Sequence, residues 1–326
     1  MRNVFCIGEL LIDFVCRNTN VSLVNGSNFE KKAGGAPANV AAAITKLGGH
    51  ATFMGQVGND PFGEFLEQTL QHAHVDTSML IKDKQTTLAF VSIDQNGERD
   101  FTFMRGADGE YHFNSIDLSK IKTNDLIHFG SATALLSSPL KDTYFQLLQH
   151  ARESGQFISF DPNYRNALIT NTEQFIQDCL TFIKHAHFVK VSQEEAIMLS
   201  KESDLQQSAL KLLNHGAKAV AITLGKDGTL LATKDKQTIV PSISIQQVDT
   251  TGAGYSFVGA MLFHIAKSEQ MFLHNFEGLT TFISFANKVG ALTCTNYGAI
   301  SSLPSLTDVK AYDYSYAFTF PSKNHA

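Results

Sequence analysis

The chain has 326 residues, 43% of them hydrophobic and 17% charged, with a net charge of −5. That composition excludes a disordered chain and is enough to bury one large α/β core rather than two equal halves. No long basic run exists, so nucleic acid is not an expected partner, and an anionic ligand must be held by local donors.

The first apolar run, VFCIGELLIDF, is interrupted by Glu9 and Asp13 and has no small-residue cleavage site after it. It reads as a first buried strand rather than a signal peptide, with Asp13 at its end. GGAPANVAAAITKLGG reads as a helix closed by Gly48 and Gly49. ATFMGQVG is a strand, and DPFGEFLEQTLQHA starts a helix with Asp60 as N-cap and Pro61 at the first helical position. TTLAFVSIDQNGERDFTFMRG is two alternating runs around Asn96-Gly97, a hairpin pattern foreign to a parallel sheet. With part of residues 14–33 it predicts a small antiparallel flap. DLIHFGSA, QFISFDPN, FVKVSQ, AVAITLG and a TLLAT/QTIVP pair supply further strands. Between them PLKDTYFQLLQHARESG, EEAIMLSK, LQQSALKLLNHG and SFVGAMLFHIAKSE read as helices, and the alternation predicts a mostly parallel sheet covered by helices. The Tyr- and Phe-rich tail after Pro304 predicts only a packed extension.

Cys6, Cys16, Cys179 and Cys294 form no CxxC pair and read as reduced thiols of a cytoplasmic protein. No stretch approaches about 18 uninterrupted apolar residues, so no membrane span is expected. The pairs His72/His74 and His185/His187 have no third ligand nearby in sequence and read as surface or packing histidines.

The strongest chemical signal is VDTTGAGYSFVGA, Val248–Ala260. Gly252 and Gly254, with Ala253 between them, leave backbone N–H groups uncovered at a helix mouth, where phosphate or a developing negative charge is favoured. There is no GxxxxGK[ST], and no GxGxxG follows the first strand, so the phosphate is not held by a P-loop or a dinucleotide fingerprint. A second signal is Gly34-Gly35-Ala36-Pro37-Ala38-Asn39: paired glycines admit a ligand close to the backbone, and Asn39 offers donors and an acceptor. Asp13 is a short acidic acceptor of the kind that chelates two sugar hydroxyls.

Asp13, GGAPAN, DPNYR at Asp161–Arg165 and DTTGAG before a helix follow the order found in ribokinase-type (pfkB) carbohydrate kinases, which this chain resembles as far as Pro304. IGELLIDF, KKAGGAPANVAAAITKLGG, GNDPFGEFL and FANKVGALTCTNYGAI are most similar to bacterial fructokinases. The resemblance implies a ribokinase-like three-layer α/β sandwich with a mostly parallel central sheet. It implies one domain over 1–326, with a discontinuous β lid from about 14–33 and 87–113. It implies transfer of a phosphoryl group from ATP, with Mg2+, to a terminal hydroxyl of a small sugar, foremost D-fructose. Ribose, 2-keto-3-deoxygluconate and a nucleoside are rival acceptors, and a non-catalytic sugar-binding pseudokinase is the rival from another class.

Carried over by position, Asp13, Gly34, Gly35 and Asn39 would bind sugar, and Arg105 at the foot of the flap would reach the sugar or transferred phosphate. Arg165 would contact phosphate, and Gly252, Ala253 and Gly254 would stabilise its charge. Lys190, Ser192, Thr223, Gly225, Gly228 and Asn287 would line the nucleotide site, Asn287 beside the adenine. Glu195 would act on magnesium through water. Asp249, Thr251, Thr293, Asn296, Gly298 and Ser302 match a monovalent-cation (K+) site in some relatives. Lids of the family often pair, which implies a homodimer through the lid.

One position departs from the pattern. The family carries an aspartate after GAG as the base for the attacking hydroxyl, and here the residue is Tyr255. A phenol titrates at about 10 against about 3.9 for aspartate, so Tyr255 is a donor at neutral pH. Losing a placed base costs roughly 10²–10⁴ in rate, so impaired turnover is expected.

Overall fold

The apolar run at the N-terminus is two strands in two different sheets. In the computed structural model, which describes residues 1–18, 20–93, 99–136, 138–268, 273 and 275–319, β1 (Val4–Ile7) ends at Gly8 and β2 starts at Leu11, running to Cys16. Gly8 makes the break: its φ is 142°, and a Cβ there would lie 2.5 Å from Cβ of Ser131. The single-strand reading of VFCIGELLIDF is therefore corrected, and Asp13 lies within β2 rather than at the end of the first strand. Apolarity is the same on both sides of Gly8, so only the backbone turn separates the two elements.

Four strands make the smaller sheet: β2, β3 (Phe29–Gly34), β6 (Leu88–Ile93) and β7 (Arg99–Met104), in the order β3-β2-β6-β7. β6 and β7 pair antiparallel with Leu88 opposite Met104, as the alternating runs predicted, but β2 pairs parallel to β6, so the predicted antiparallel flap is a mixed sheet. The Asn96-Gly97 turn between them lies outside the described residues.

The larger sheet contains β4 (Ala51–Val57), β5 (Asp76–Lys82), β8 (Leu126–Phe129), β9 (Phe157–Phe160), β10 (Phe188–Ser192), β11 (Ala219–Thr223), β12 (Thr229–Thr233) and β13 (Gln237–Val240) together with β1. Its order is β13-β12-β11-β10-β9-β8-β1-β4-β5, parallel from β11 to β5, with β12 and β13 added antiparallel at one edge. β5 had no counterpart in the sequence reading, because DTSMLIK mixes exposed polar residues with the apolar ones.

Strand alternation divides the core in two. On β1, Val4 and Cys6 pack with α1 (Ala36–Lys46), α7 (Ala253–Lys267) and α8 (Phe276–Thr293), while Phe5 and Ile7 pack on the other face. That second face is covered by α3 (Pro139–Glu153), α4 (Thr172–Ile183), α5 (Gln193–Ser200) and α6 (Leu205–His215). α2 (Pro61–His72) begins as predicted, with Asp60 accepting from the N–H groups of Phe62 and Gly63. The packed C-terminal extension is a helix, α9 (Leu306–Thr319), anchored by buried Val309 and by Tyr312 donating to the Ser244 carbonyl at 3.3 Å. No described helix is long and apolar enough to cross a membrane.

Candidate active site

β2 and β3 carry Asp13 and Gly34. Asp13 faces Lys32 across the ladder. A Cβ on Gly34 would lie 2.1 Å from Asp13 Oδ2, so any side chain there would displace the carboxylate. Gly35 has a φ of 119° and lies so close to the Glu9 carbonyl that a Cβ would meet it at 2.3 Å. Asn39, in the first turn of α1, is buried, and its Oδ1 has no protein partner, an acceptor left for a ligand donor.

The opposite wall is built after β9, β10 and β13. Asp161 is buried; its Oδ1 accepts from the Asn163 N–H at 3.1 Å, and its Oδ2 pairs with the Lys190 ammonium at 3.2 Å. Burial opposes the charge on Lys190, but Asp161 and Glu195 together hold its pKa above the ordinary lysine value. Ser192 caps α5, and Glu195 completes a capping box. The two Glu195 oxygens accept from the N–H groups of Tyr164 and Ser192, each at 2.7 Å. A carboxylate has about four acceptor positions, so both oxygens keep room for a water.

At the mouth of α7, Gly252 takes a φ of 90° and no side chain caps the helix. The helix begins at Ala253, earlier than the apolar pattern from Ser256 suggested, so the GAG backbone itself forms its first turn. Lys190 lies beside that turn, since a Cβ on Gly254 would be 3.4 Å from its Nζ. Tyr255 reaches across the gap: Arg165 Nη2 donates to its hydroxyl at 2.7 Å, and the hydroxyl donates to Asn163 Oδ1 at 3.4 Å. Burial first, then the charges of Glu9 and Asp161, push the Tyr255 pKa above its ordinary value against the pull of Arg165. The phenol is neutral and cannot serve as a carboxylate-like base.

The Arg165 guanidinium bonds Tyr255 at the α7 mouth, and its positive charge favours the ionised form of Asp13. Burial nonetheless pushes the Asp13 carboxyl up to about 6.

The remaining predicted residues fall into groups. Arg105 is held to the body of the molecule by the Thr133 carbonyl and Ser138 Oγ, both at 3.0 Å, and by Asp108 at 3.4 Å. Thr223 ends β11 next to Ser192, and Gly225 and Gly228 turn the chain with φ of 60° and 103°. Asn287 is buried; it accepts from Thr229 at 2.6 Å and donates to the Val240 carbonyl at 2.9 Å. Asp249 accepts from Thr251 N–H at 2.9 Å and from Gly298 N–H at 3.0 Å, which fastens the loop carrying Asn296 and Ser302 to the DTTGAG turn. Thr293 is buried and donates to Ser256 Oγ at 2.9 Å.

Two residues escaped the sequence reading. Glu9 is a buried carboxylate that accepts from the Ala36 N–H at 2.8 Å, from the Ala132 N–H at 3.3 Å and from the Ser131 hydroxyl. Asn163, inside DPNYR, is buried, with its Nδ2 lacking a protein partner. The available signal for Glu9 was an acidic residue directly after glycine inside the most apolar run of the chain.

A nine-stranded, mostly parallel sheet covered by helices on both faces, with a separate four-stranded sheet, is a ribokinase-like fold. The model of the pfkB family carbohydrate kinases matches residues 1–306, and the chain belongs to that family. It is 39% identical over 311 residues to fructokinase-1 of Zea mays, covering 94% of this chain and 96% of the relative. Among solved structures, the ATP-bound fructokinase of Xylella fastidiosa matches with a TM-score of 0.87 and 30% identity over 97% of this chain and 99% of that one. A double mutant of the fructokinase of Vibrio cholerae O395, in a fructose-, ADP- and potassium-bound form, matches with a TM-score of 0.85 and 32% identity over 96% and 98%. The chain is thus a carbohydrate kinase by family.

Proposed function

We propose that this cleft binds D-fructose and ATP, that its chemistry is transfer of the γ-phosphoryl group to the 6-hydroxyl, and that Tyr255 makes this transfer slow. The observation that carries the reading is the uncapped α7 mouth, where the Lys190 ammonium lies beside Gly254 and Arg165 bonds Tyr255. A sugar clasped by Asp13 and Asn39 would present its far hydroxyl toward that mouth. The uncapped N–H groups of α7, with Arg165 and Lys190, would stabilise charge on the transferred group.

Bound cations would neutralise phosphate charge. Glu195 retains acceptor positions for a magnesium-bound water, and the donors around Asp249, Thr251, Thr293, Asn296, Gly298 and Ser302 are all oxygens, which suits a hard cation such as K+. Val15, Val91 and Phe101 continue outward from Asp13 on one face of the lid sheet, only partly buried. That face supports pairing of two copies lid to lid.

Replacing Tyr255 tests the reading. The Tyr255→Asp variant restores a base and empties the space the ring occupies, so its kcat with fructose rises at least about tenfold over the parent chain. A coupled ADP-release assay with fructose, ribose, 2-keto-3-deoxygluconate and adenosine measures this. No gain with any acceptor places the base elsewhere, and a gain with another acceptor alone replaces fructose.

A further inference from the structure

We propose that Tyr255 is itself a phosphoryl acceptor: with ATP bound, the chain transfers the γ-phosphoryl group to its own Tyr255 hydroxyl. The proposal rests on the reading of the cleft as an ATP site and adds a self-modification to it.

The ring does not simply block the cleft. It delivers a hydroxyl into the group of donors that would receive the transferred phosphate. Tyr255 Oη is bonded by Arg165 at 2.7 Å and lies against Asn163, whose buried Nδ2 has no protein partner and is free to donate to a phosphate oxygen. The Lys190 ammonium lies beside the first turn of α7 and is coupled by charge to Tyr255. Hydroxyl, guanidinium, ammonium and open helix N–H groups therefore surround one volume, which is what positioning and electrostatic catalysis of phosphoryl transfer require.

The chemistry of the acceptor suits the missing base. A sugar alcohol is a very weak acid, so its attack gains from a carboxylate that takes the proton. A phenol, even with burial holding this one above its ordinary value of about 10, is more acidic than a sugar alcohol and needs that help less. The same substitution that removes the base thus supplies a nucleophile less dependent on one. In the step, a bond forms from Tyr255 Oη to the γ-phosphorus as the bond from that phosphorus to the β,γ-bridging oxygen breaks. The bonding pair leaves with ADP, and the phenolic proton moves to a non-bridging oxygen of the transferred group. The resulting phosphotyrosine would face Arg165 and Lys190, two charge-assisted partners that hold it in place.

The test incubates the intact chain with γ-labelled ATP and Mg2+, follows intact mass, and maps the modified residue, while calorimetry on the same sample measures ATP binding. The expected result is one phosphoryl group per chain on Tyr255, with the same rate constant at low and high protein concentration. The label is lost in Tyr255→Phe although that variant still binds ATP. A chain that binds ATP yet stays unlabelled at Tyr255, or whose labelling rate scales with protein concentration, overturns the proposal. If Tyr255→Asp phosphorylates a sugar while the parent stays unlabelled, the proposal falls and the kinase reading stands. If neither form binds ATP, both fall.

Discussion

Asp13 sits where a charge is costly and where a charge is wanted. Burial raises its carboxyl to about 6 from an ordinary 3.8, with Arg165 and Lys32 offsetting only part of the cost. A raised carboxyl pKa means that the folded state binds the proton more tightly than the unfolded state. The contribution of Asp13 to stability is therefore complete below about 3.8 and is lost as pH rises through about 6. At neutral pH the ionised group costs the fold on the order of 2–3 kcal/mol. The Asp13→Asn variant is expected to unfold at higher temperature than the parent at neutral pH. That advantage shrinks as pH falls below about 6 and is gone near 4. On the proposed reading the same variant is expected to bind sugar more weakly, because only one of its two terminal atoms can still accept from a hydroxyl. Calorimetric unfolding of both proteins across this pH range checks the stability claim; an advantage that does not vary with pH would place the strain elsewhere. Tyr255 is the complementary residue. Its identity and inability to act as a base were legible in the sequence, but its bond to Arg165 was not, because ninety positions separate the two along the chain.

Among the elements, those with local chemical markers were readable and those fixed by remote packing were not. The Asp60-Pro61 start of α2 and the Ser192–Glu195 box of α5 involve residues within a few positions of each other, so their hydrogen bonds are implied by spacing. The transfer of the chain from the main sheet to the lid at Gly8 carries no such marker; it follows from Ser131 packing against that glycine. α4 and α8 each start at a capping asparagine, Asn171 and Asn275, a local marker that the sequence reading passed over, and β5 is half exposed. Asp60 also does more than its spacing implied. Besides capping α2, it accepts from Thr86 N–H at 2.8 Å and Thr86 Oγ1 at 2.6 Å, joining the helix to the chain entering β6. These bonds hold its pKa below the ordinary aspartate value despite the opposing effect of burial, so its contribution to stability is lost as pH falls through that depressed value. Losing the cap costs about 1 kcal/mol, and stranding the Thr86 donor adds about 1–2 kcal/mol, so Asp60→Ala is expected to lower stability by roughly 2–3 kcal/mol. Urea unfolding measures this, and a loss confined to the cap value would mean Thr86 finds water instead.

At the scale of the whole molecule, a buried polar network ties the lid to the sugar turn. Asp108 accepts from Thr87 at the entry of β6, from Thr133 at 2.7 Å, and pairs with Arg105 just after β7. The Thr133 N–H in turn donates to Ser131 Oγ, and Ser131 donates to Glu9, which accepts from the Ala36 N–H directly after Gly34-Gly35. Both crossings of the second lid hairpin and the turn under Asp13 therefore hang on two buried carboxylates. Burial raises the Glu9 pKa, the charge of Asp108 adds to that effect, and the bonds from Ser131 and Ala36 oppose it. In Glu9→Ala, the Ala36 and Ala132 N–H groups lose the one oxygen they share, and both bonds are lost. Hydrogen bonds to charged groups contribute about 1.5–3 kcal/mol, so sugar affinity is expected to fall at least about tenfold if the turn shifts with the loss. ATP affinity, which the proposed reading places on the far wall built after β9, β10 and β13, is expected to change little. Calorimetric titration of fructose and ATP against the parent and the variant separates the two ligands. A parallel loss of both would mean that the network supports the fold as a whole, whereas a loss confined to sugar assigns Glu9 to the positioning of the Gly34-Gly35 turn.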